Sequence, residues 1–540
     1  MGEDIGMEPE LYPCVPTHSL PLLNGKTTFV DALEEEENML VRLSYPKQRF
    51  DFFVLIVHHE KDFQDVIANH LGLTGDETCR LGEVSEWRHG SFNVCVPVYV
   101  ENWKTHPGKR LILRIPLPYK AGELTYPGNV DEKIRTEAAT FLWIQDHCRD
   151  IPIPSLWGFG CPGGQSFMRL EYASFVEKAK WYFRRVLSTL FGLPIPCRYI
   201  CKTRSVILDQ GYMIMDYIEP TEARMLSDTW PDLRLNHTLR TNLFRGLSRI
   251  ILSLSQIQLP KIGSWTINDQ GFLTLTNRPL LHKFHALENE AIETLIPRDL
   301  TYATSDTFYS DILACHDSRI YNQPNSILDE KDGLGQMANL FCMRGLLSHF
   351  TSRRLRSGPF AFSLTDLHGP NIFVDDDWNI KYIIDLEWAC SLPVEMLAPP
   401  HWITDCGVDQ LEGDTLETYA NAHAEFTKVF EEEEQKCSPF CGSKTYRTDI
   451  MRSNWTSGAF WYFHALNSLK GCFNLFQQHI QPRFNQDVNY DGFSQEVFCY
   501  WAPNAKQVIA TKLDDKTKYE QGLQQLFDEQ IKNPSVGNQD

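Results

Sequence analysis

Three oxygen-bearing side chains, Asp366, Asn371 and Asp385, stand in one short segment of this 540-residue chain, TDLHGPNIFVDDDWNIKYIIDLEWA at 365–389. Their neighbours are apolar and β-branched, and a carboxylate in such company needs a partner. A salt bridge, a turn or a metal ion would serve. The DDDWN cluster is turn-forming, so the segment predicts a hairpin centred on Trp378. In that register Phe373 faces Ile383, Val374 faces Tyr382, and Asp375 faces Lys381 as an opposite-charge pair. Asn371 then sits directly opposite Asp385, and residues so paired share a face with Cα atoms about 4.5–5.5 Å apart. An amide oxygen and a carboxylate converging there, with room for water and phosphate oxygens, suit Mg²⁺. Asp366, in the loop entering the hairpin, is placed to reach a hydroxyl beside the metal. The alternative is a hairpin whose polar ends are simply capped and solvated. Three such groups in one consistent register favour the metal-dependent site.

The elements that must position these groups begin well upstream. SFNVCVPVYVE and RLILRIPLP read as strands joined by the turn-rich THPGK. NVDEKIRTEAATFLWIQDHC predicts a helix with Asn129 as candidate cap and Ile134, Ala138, Phe141, Leu142 and Gln145 on one face. IPIPSLWGFG and GYMIMDYIEP supply further strands, which together make a small α+β layer. The spacing divides the chain into an N-terminal extension at 1–84, a β-rich unit at 85–217 and a mostly helical unit at 218–540 carrying 365–389. An insertion near 175–204 contains FVEKAKWYFRRVLSTLFGL, a basic and aromatic helix. Such a helix can lie on a membrane surface, but the favoured expectation is that it packs its aromatics on the small layer.

The combination carries a resemblance. D-L-H-G-P-N followed by I-I-D-L-E resembles the catalytic loop and metal-binding strand of the aminoglycoside phosphotransferase and choline kinase group, within the protein-kinase-like fold. The longer pattern through SLPVEML is similar to a fungal branch of that group, and the likeness runs from about Trp87 to Thr404. It implies two lobes, a small N-terminal β-rich one and a larger, mostly helical C-terminal one. It also implies transfer of the γ-phosphoryl of ATP, with Mg²⁺, to a hydroxyl of a small-molecule acceptor. Asp366 would orient and deprotonate that hydroxyl, and Asn371 and Asp385 would hold the metal on the phosphates. Arg114 in LILRIP would take the place of the family's phosphate-gripping lysine, paired with Glu137 of the following helix. A guanidinium is a rigid fork where the lysine is a compact ammonium. Ser91 in RHGSFN, with its neighbouring amides, stands where a phosphate-covering loop would be. Asp216, Tyr217 and Ile218 would form the connection whose backbone meets adenine. Leu364 replaces a bracing histidine, leaving His368 as a brace or a plainly packed side chain. With Arg114, Leu364 and a single loop glycine departing from the pattern, a catalytically silent binding protein is the competing expectation.

Bulk composition is consistent with this. The charged share is 22% and the hydrophobic share 42%, ordinary for a globular protein. A net charge of −19 repels phosphate backbones, so nucleic acid is not an expected partner. Fifteen irregularly spaced cysteines without a secretory signal predict reduced thiols in the cytoplasm. No apolar run is long enough to span a bilayer.

Overall fold

Strand-forming runs in the first half of the chain assemble one antiparallel sheet of eight strands. They are β1 (Thr78–Leu81), β2 (Arg88–His89), β3 (Asn93–Glu101), β4 (Arg110–Pro116), β5 (Leu156–Gly160), β6 (Gln165–Arg169), β7 (Tyr199–Thr203) and β8 (Tyr212–Asp216). Their order is β1-β3-β4-β8-β5-β6-β7, with β2 also paired to β3. The computed structural model describes residues 19–203, 209–440, 442–486 and 489–532. Residues 1–18 of the expected extension and the last residue of the expected insertion lie outside them.

Both faces of the sheet are covered, which is why its central strands read as continuous apolar runs. On one face Val94, Val96, Leu111 and Leu113 pack against helices α1 (Tyr45–His58) and α2 (Glu60–Leu71) through Phe52, Ile56, Phe63 and Ile67. On the other, Phe159, Phe167 and Met213 pack against helix α3 (Asn129–His147) and the helical body beyond it. Helix α3 is therefore buried nearly all round. Its cap is not Asn129: Gly128, at φ 96°, is the N-cap. The Glu123 carboxylate accepts from the Gly128 and Val130 amides at 2.7 Å each. Asn129 is already helical and buried, donating to the Ala121 carbonyl at 2.9 Å.

The expected boundary at residue 85 falls inside this sheet-bearing unit. β1 pairs with β3, and α1 and α2 form one of its covering layers. Residues farther upstream belong elsewhere: Leu20, Ala32 and Met39 pack on Tyr519, Leu523 and Phe527 of the last helix, Ala505–Lys532. Such pairings across the whole chain leave no periodicity in the sequence.

The insertion forms helix α4 (Phe175–Phe191), closed by a Ser174–Glu177 capping box and by Gly192 at φ 63°. The packing expected for its aromatics is largely overturned. Trp181 is buried, its indole donating to the Cys197 carbonyl at 2.6 Å. Tyr182 and Phe183 are instead 58% and 66% exposed. The helix carries more apolar positions than the single face it turns to the sheet can hold.

The rest of the chain is mostly helical, with long helices at His237–Gln256, Glu330–Phe350 and Gly413–Glu434. The molecule is thus mixed α/β, a small β-rich part joined to a larger helical part, as expected. Among the described residues no helix is long and apolar enough to cross a membrane.

Candidate active site between sheet and helical body

The segment at 365–389 is an excursion from a two-stranded ladder. β9 (Phe360–Leu364) pairs with β12 (Ala389–Pro393), with Leu364 opposite Ala389. Thr365 donates its amide to the Trp388 carbonyl at 3.2 Å, closing the neck. Everything between begins and ends at one place, so Asp366 and the I-I-D-L-E run are brought together by topology.

Within the excursion the hairpin forms, from β10 (Ile372–Val374) and β11 (Ile380–Ile383), but one residue away from the expected register. Ile372 faces Ile383 and Phe373 faces Tyr382, with a bulge before Val374 faces Ile380. Trp378 is responsible for the asymmetry. Its indole is 1% exposed, stacked on Trp230 at 5.4 Å and donating to the Thr229 hydroxyl at 3.0 Å. Asp375 therefore does not pair with Lys381. It closes the turn, accepting from the Asp377 and Asn379 amides at 3.1 and 2.9 Å.

Asn371 consequently stands opposite Ile384, whose amide donates to the Asn371 carbonyl at 3.0 Å, and not opposite Asp385. Had the strand run on, the slip would have put Asn371 and Asp385 on opposite faces. The strand stops at Ile383, and Asp385 takes the left-handed conformation at φ 62°, unusual for a residue with a Cβ. That turn aims its carboxylate at the sheet, where it pairs with Arg114 of β4.

Arg114 is the centre of a buried cluster. Its guanidinium pairs with Glu137 of α3, with Asp385 and with Glu387, the last at 2.9 Å. Lys133, one turn before Glu137, pairs with Glu387 and donates to the Asn93 amide oxygen at 2.7 Å. Asn93 in turn donates to Glu387 at 2.9 Å. One ligand oxygen from each of Glu137, Asp385 and Glu387 lies within 4.8 Å of the others. Three hard oxygen donors so gathered are of the kind that bind a divalent cation, and in this structure each of the three carboxylates is paired with Arg114 or Lys133. The expected Arg114–Glu137 pair is thus formed, and Asp385 joins it.

The cluster holds three carboxylates against two cations, and the imbalance is visible in its proton affinities. Burial raises the Asp385 and Glu137 carboxyls above the ordinary range, with the neighbouring carboxylates adding to it and Arg114 opposing. Glu387 goes the other way: burial would raise it, but Lys133 and Arg114 hold it down to about 2. Glu387, Lys133 and Asn93 were missed by the sequence reading. The signal for two of them was there, since Glu387 alternates with Asp385 and Lys133 lies a helical turn from Glu137.

At the neck, Asp366 is held from two sides. The Asn371 side-chain amide donates to its carbonyl at 2.9 Å and its carboxylate at 3.2 Å, and His368 lies 3.3 Å from its other oxygen. His368 is thus the brace that Leu364 is not. Its hydrogen bond to Asp366 raises the imidazole's pKa, with the Asp366 and Asp385 charges adding to it. Nδ1 of His368 is buried and meets no partner among the described residues.

The remaining expected residues are more scattered. Ser91 is exposed at the tip of the β2–β3 turn, which Phe92 anchors by packing on Trp388 at 5.2 Å. The connection after β8 is narrower than expected as an adenine contact. The Asp216 and Tyr217 amides already donate to the Ser155 and Arg110 carbonyls at 3.1 and 3.3 Å. The Asp216 carboxylate accepts from Trp157 at 2.6 Å and pairs with Lys109 at 2.7 Å. The expected role therefore narrows to Ile218 and the backbone carbonyls of this stretch.

No family model matches the chain, and no curated protein matches it. Among solved structures it is similar to the apoenzyme of macrolide 2'-phosphotransferase MphH from Brachybacterium faecium, at 11% identity and TM-score 0.31 over 77% of this chain and 95% of that one. It is also similar to a type I macrolide 2'-phosphotransferase, at 11% identity and TM-score 0.32 over 81% and 96% of the two chains. A third is an ethanolamine kinase from Plasmodium vivax, at 9% identity and TM-score 0.34 over 82% of this chain and 89% of that one.

Proposed function

We propose that this chain transfers the γ-phosphoryl group of ATP to a hydroxyl of a small-molecule acceptor, with Mg²⁺. The observation that carries the reading is the convergence of Glu137, Asp385 and Glu387 around Arg114, beside an aspartate fixed by its neighbours. Asp366 would accept the acceptor's hydroxyl proton at the carboxylate that Asn371 and His368 orient. Arg114 would grip phosphate oxygens from the sheet side through its planar fork, and Lys133, fully buried, would hold Glu387 in place. Asp385 and Asn371 would hold the metal, with Glu137 and Glu387 gathered beside Asp385, and the metal supplies charge neutralisation on the phosphates when bound. Positioning and charge carry most of such a reaction, so few side chains suffice. The test is a screen of pooled cell-extract metabolites for ATP-dependent phosphorylation. A product that forms with wild-type protein and Mg²⁺, and not with Asp366→Asn, supports the assignment.

The Arg114–Asp385 pair also favours a second reading, a kinase-like protein that binds without turnover. A guanidinium there already supplies Asp385 with a positive partner. That reading expects no Mg²⁺-dependent gain in nucleotide stabilisation and no labelled product from any metabolite pool.

A further inference from the structure

Helix α4 presents to solvent a face that no described residue covers. Phe175 is 85% exposed, Phe183 66%, Val186 55% and Leu190 73%. The stripe continues past the Gly192 cap through Leu193 and Ile195, at 57% and 54%. At about 100° per residue, Phe175, Ala179, Phe183, Val186 and Leu190 fall within an arc of roughly 80°. That arc lies opposite the side on which Trp181 and Ser188 are buried. A contiguous apolar face of this kind marks an interaction surface.

The charges around it say which kind. Lys178 and Lys180 flank the stripe on its two edges, each about 60° beyond it, while Arg184 and Arg185 lie farther round the helix, over the Phe272 and Trp181 rings at 5.3 Å each. The helix's one acidic residue, Glu177, caps its own N-terminus and pairs with Lys202 at 3.1 Å. Beneath Lys178 and Arg185, between this helix, α3 and the sheet, opens a cavity of about 620 Å³ that Arg169 and Arg198 also line, together with Asp146 and Glu171. This basic rim stands out in a chain whose net charge is −19. A second copy docked on the same face would bring Lys178 and Lys180 against their own equivalents. An anionic lipid surface receives both the apolar stripe and the cations beside it.

We propose that helix α4 is a membrane-surface anchor, lying in the plane of an anionic bilayer with Phe175, Phe183, Val186 and Leu190 immersed and its basic edges on lipid headgroups. It would hold the sheet-bearing part of the protein at a membrane without any segment crossing it. The face lies outside the candidate active site, so the proposal stands independently of the phosphotransferase reading.

The test is flotation of the full chain with vesicles of phosphatidylcholine alone or with about 30% phosphatidylserine. Wild-type protein should partition at least about tenfold more onto the anionic vesicles, and lose that gain in high salt. Phe183→Glu with Leu190→Glu should reduce binding at least about tenfold while melting temperature and circular dichroism stay unchanged. Lys178→Gln with Lys180→Gln should reduce it by roughly 25-fold, about fivefold for each basic residue removed. Absence of flotation with either vesicle would overturn the proposal, as would equal binding to both. So would a dimer in light scattering that Phe183→Glu with Leu190→Glu abolishes, since that assigns the face to a second copy.

Discussion

Helix α3 faces two buried ion networks from adjacent residues, Glu132 and Lys133, and they are built to opposite plans. Glu132 meets Arg278 at 2.8 Å, with His285 and Arg298 at 3.4 Å each, and Arg278 meets Glu288 at 2.6 Å. Asn277 and Asn129 donate to the same two carboxylates at 2.9 Å each. Burial would raise the Glu132 carboxyl, yet His285 and Arg278 hold it down to about 2. Every charge there has its complement, and the network stitches α3 to the helical body.

On the other side, Lys133 and Arg114 share Glu137, Asp385 and Glu387. Burial and like charge push two of those carboxyls up, and Asp385 reaches the cluster only through a left-handed backbone. Its side chain keeps 28% of its exposure, so the cluster opens to solvent where the other is sealed. Buried charge by itself does not mark a functional site. An excess of one sign, raised carboxyls and an accessible left-handed residue are what the proposed site adds to it.

The contrast breaks first at Asp366. Replacing it with Asn should lower phosphoryl transfer by about 10²–10⁴-fold, the usual range for a general base, with unchanged melting. Unchanged turnover on an identified acceptor would remove it from that role. Arg278→Ala should instead cost about 3–5 kcal/mol of stability, read by urea unfolding, because it leaves Glu132 and Glu288 buried without their partner. Nucleotide affinity of the folded fraction should not change. The same network carries a pH signature. Glu132 sits below its ordinary 4.5 when folded, so its stabilisation is complete above that value and drains as pH falls toward 2. Glu132→Gln should flatten stability across that window.

Arg114→Ala and Lys133→Ala sharpen the other side. Arg114→Ala should weaken Mg·ATP binding by roughly tenfold to a hundredfold in calorimetry, the loss of one charged hydrogen bond, and Lys133→Ala should weaken it less, since it acts through Glu387. Normal nucleotide affinity with lowered stability in both would make this cluster structural like its neighbour. Asp375→Ala is the smallest change, at most about 1 kcal/mol of stability, since its bonds lie in an exposed turn.

How much of this was legible follows from distance along the chain. Asp366, Asn371 and Asp385 were readable because turn residues and β-branched runs sit beside them in sequence. The helix carrying Glu137 was readable from its own periodicity. The register was not, because Trp230, some 150 residues upstream, decides where Trp378 sits and hence where the hairpin turns. Glu387 and Lys133 stand at readable spacings from Asp385 and Glu137, but their pairing with each other joins segments some 250 residues apart. Which faces of the N-terminal extension pack on the sheet was equally hidden, since α1 and α2 do so by burying ordinary apolar faces. The exposure of α4 was misjudged because an apolar stripe looks the same whether it meets a sheet or nothing.

We propose that Asp385 belongs to a metal-dependent nucleotide site. Its most direct test is thermal melting of wild type and Asp385→Ala with ATP, with and without Mg²⁺. A ligand at a hundredfold its Kd adds about 2.7 kcal/mol to the folded state, enough to read as a shift in Tm. Wild type should gain stabilisation from Mg·ATP beyond that from ATP or Mg²⁺ alone, and Asp385→Ala should lose that increment. An Asp385→Ala protein that gains as much from Mg·ATP as wild type would contradict the account.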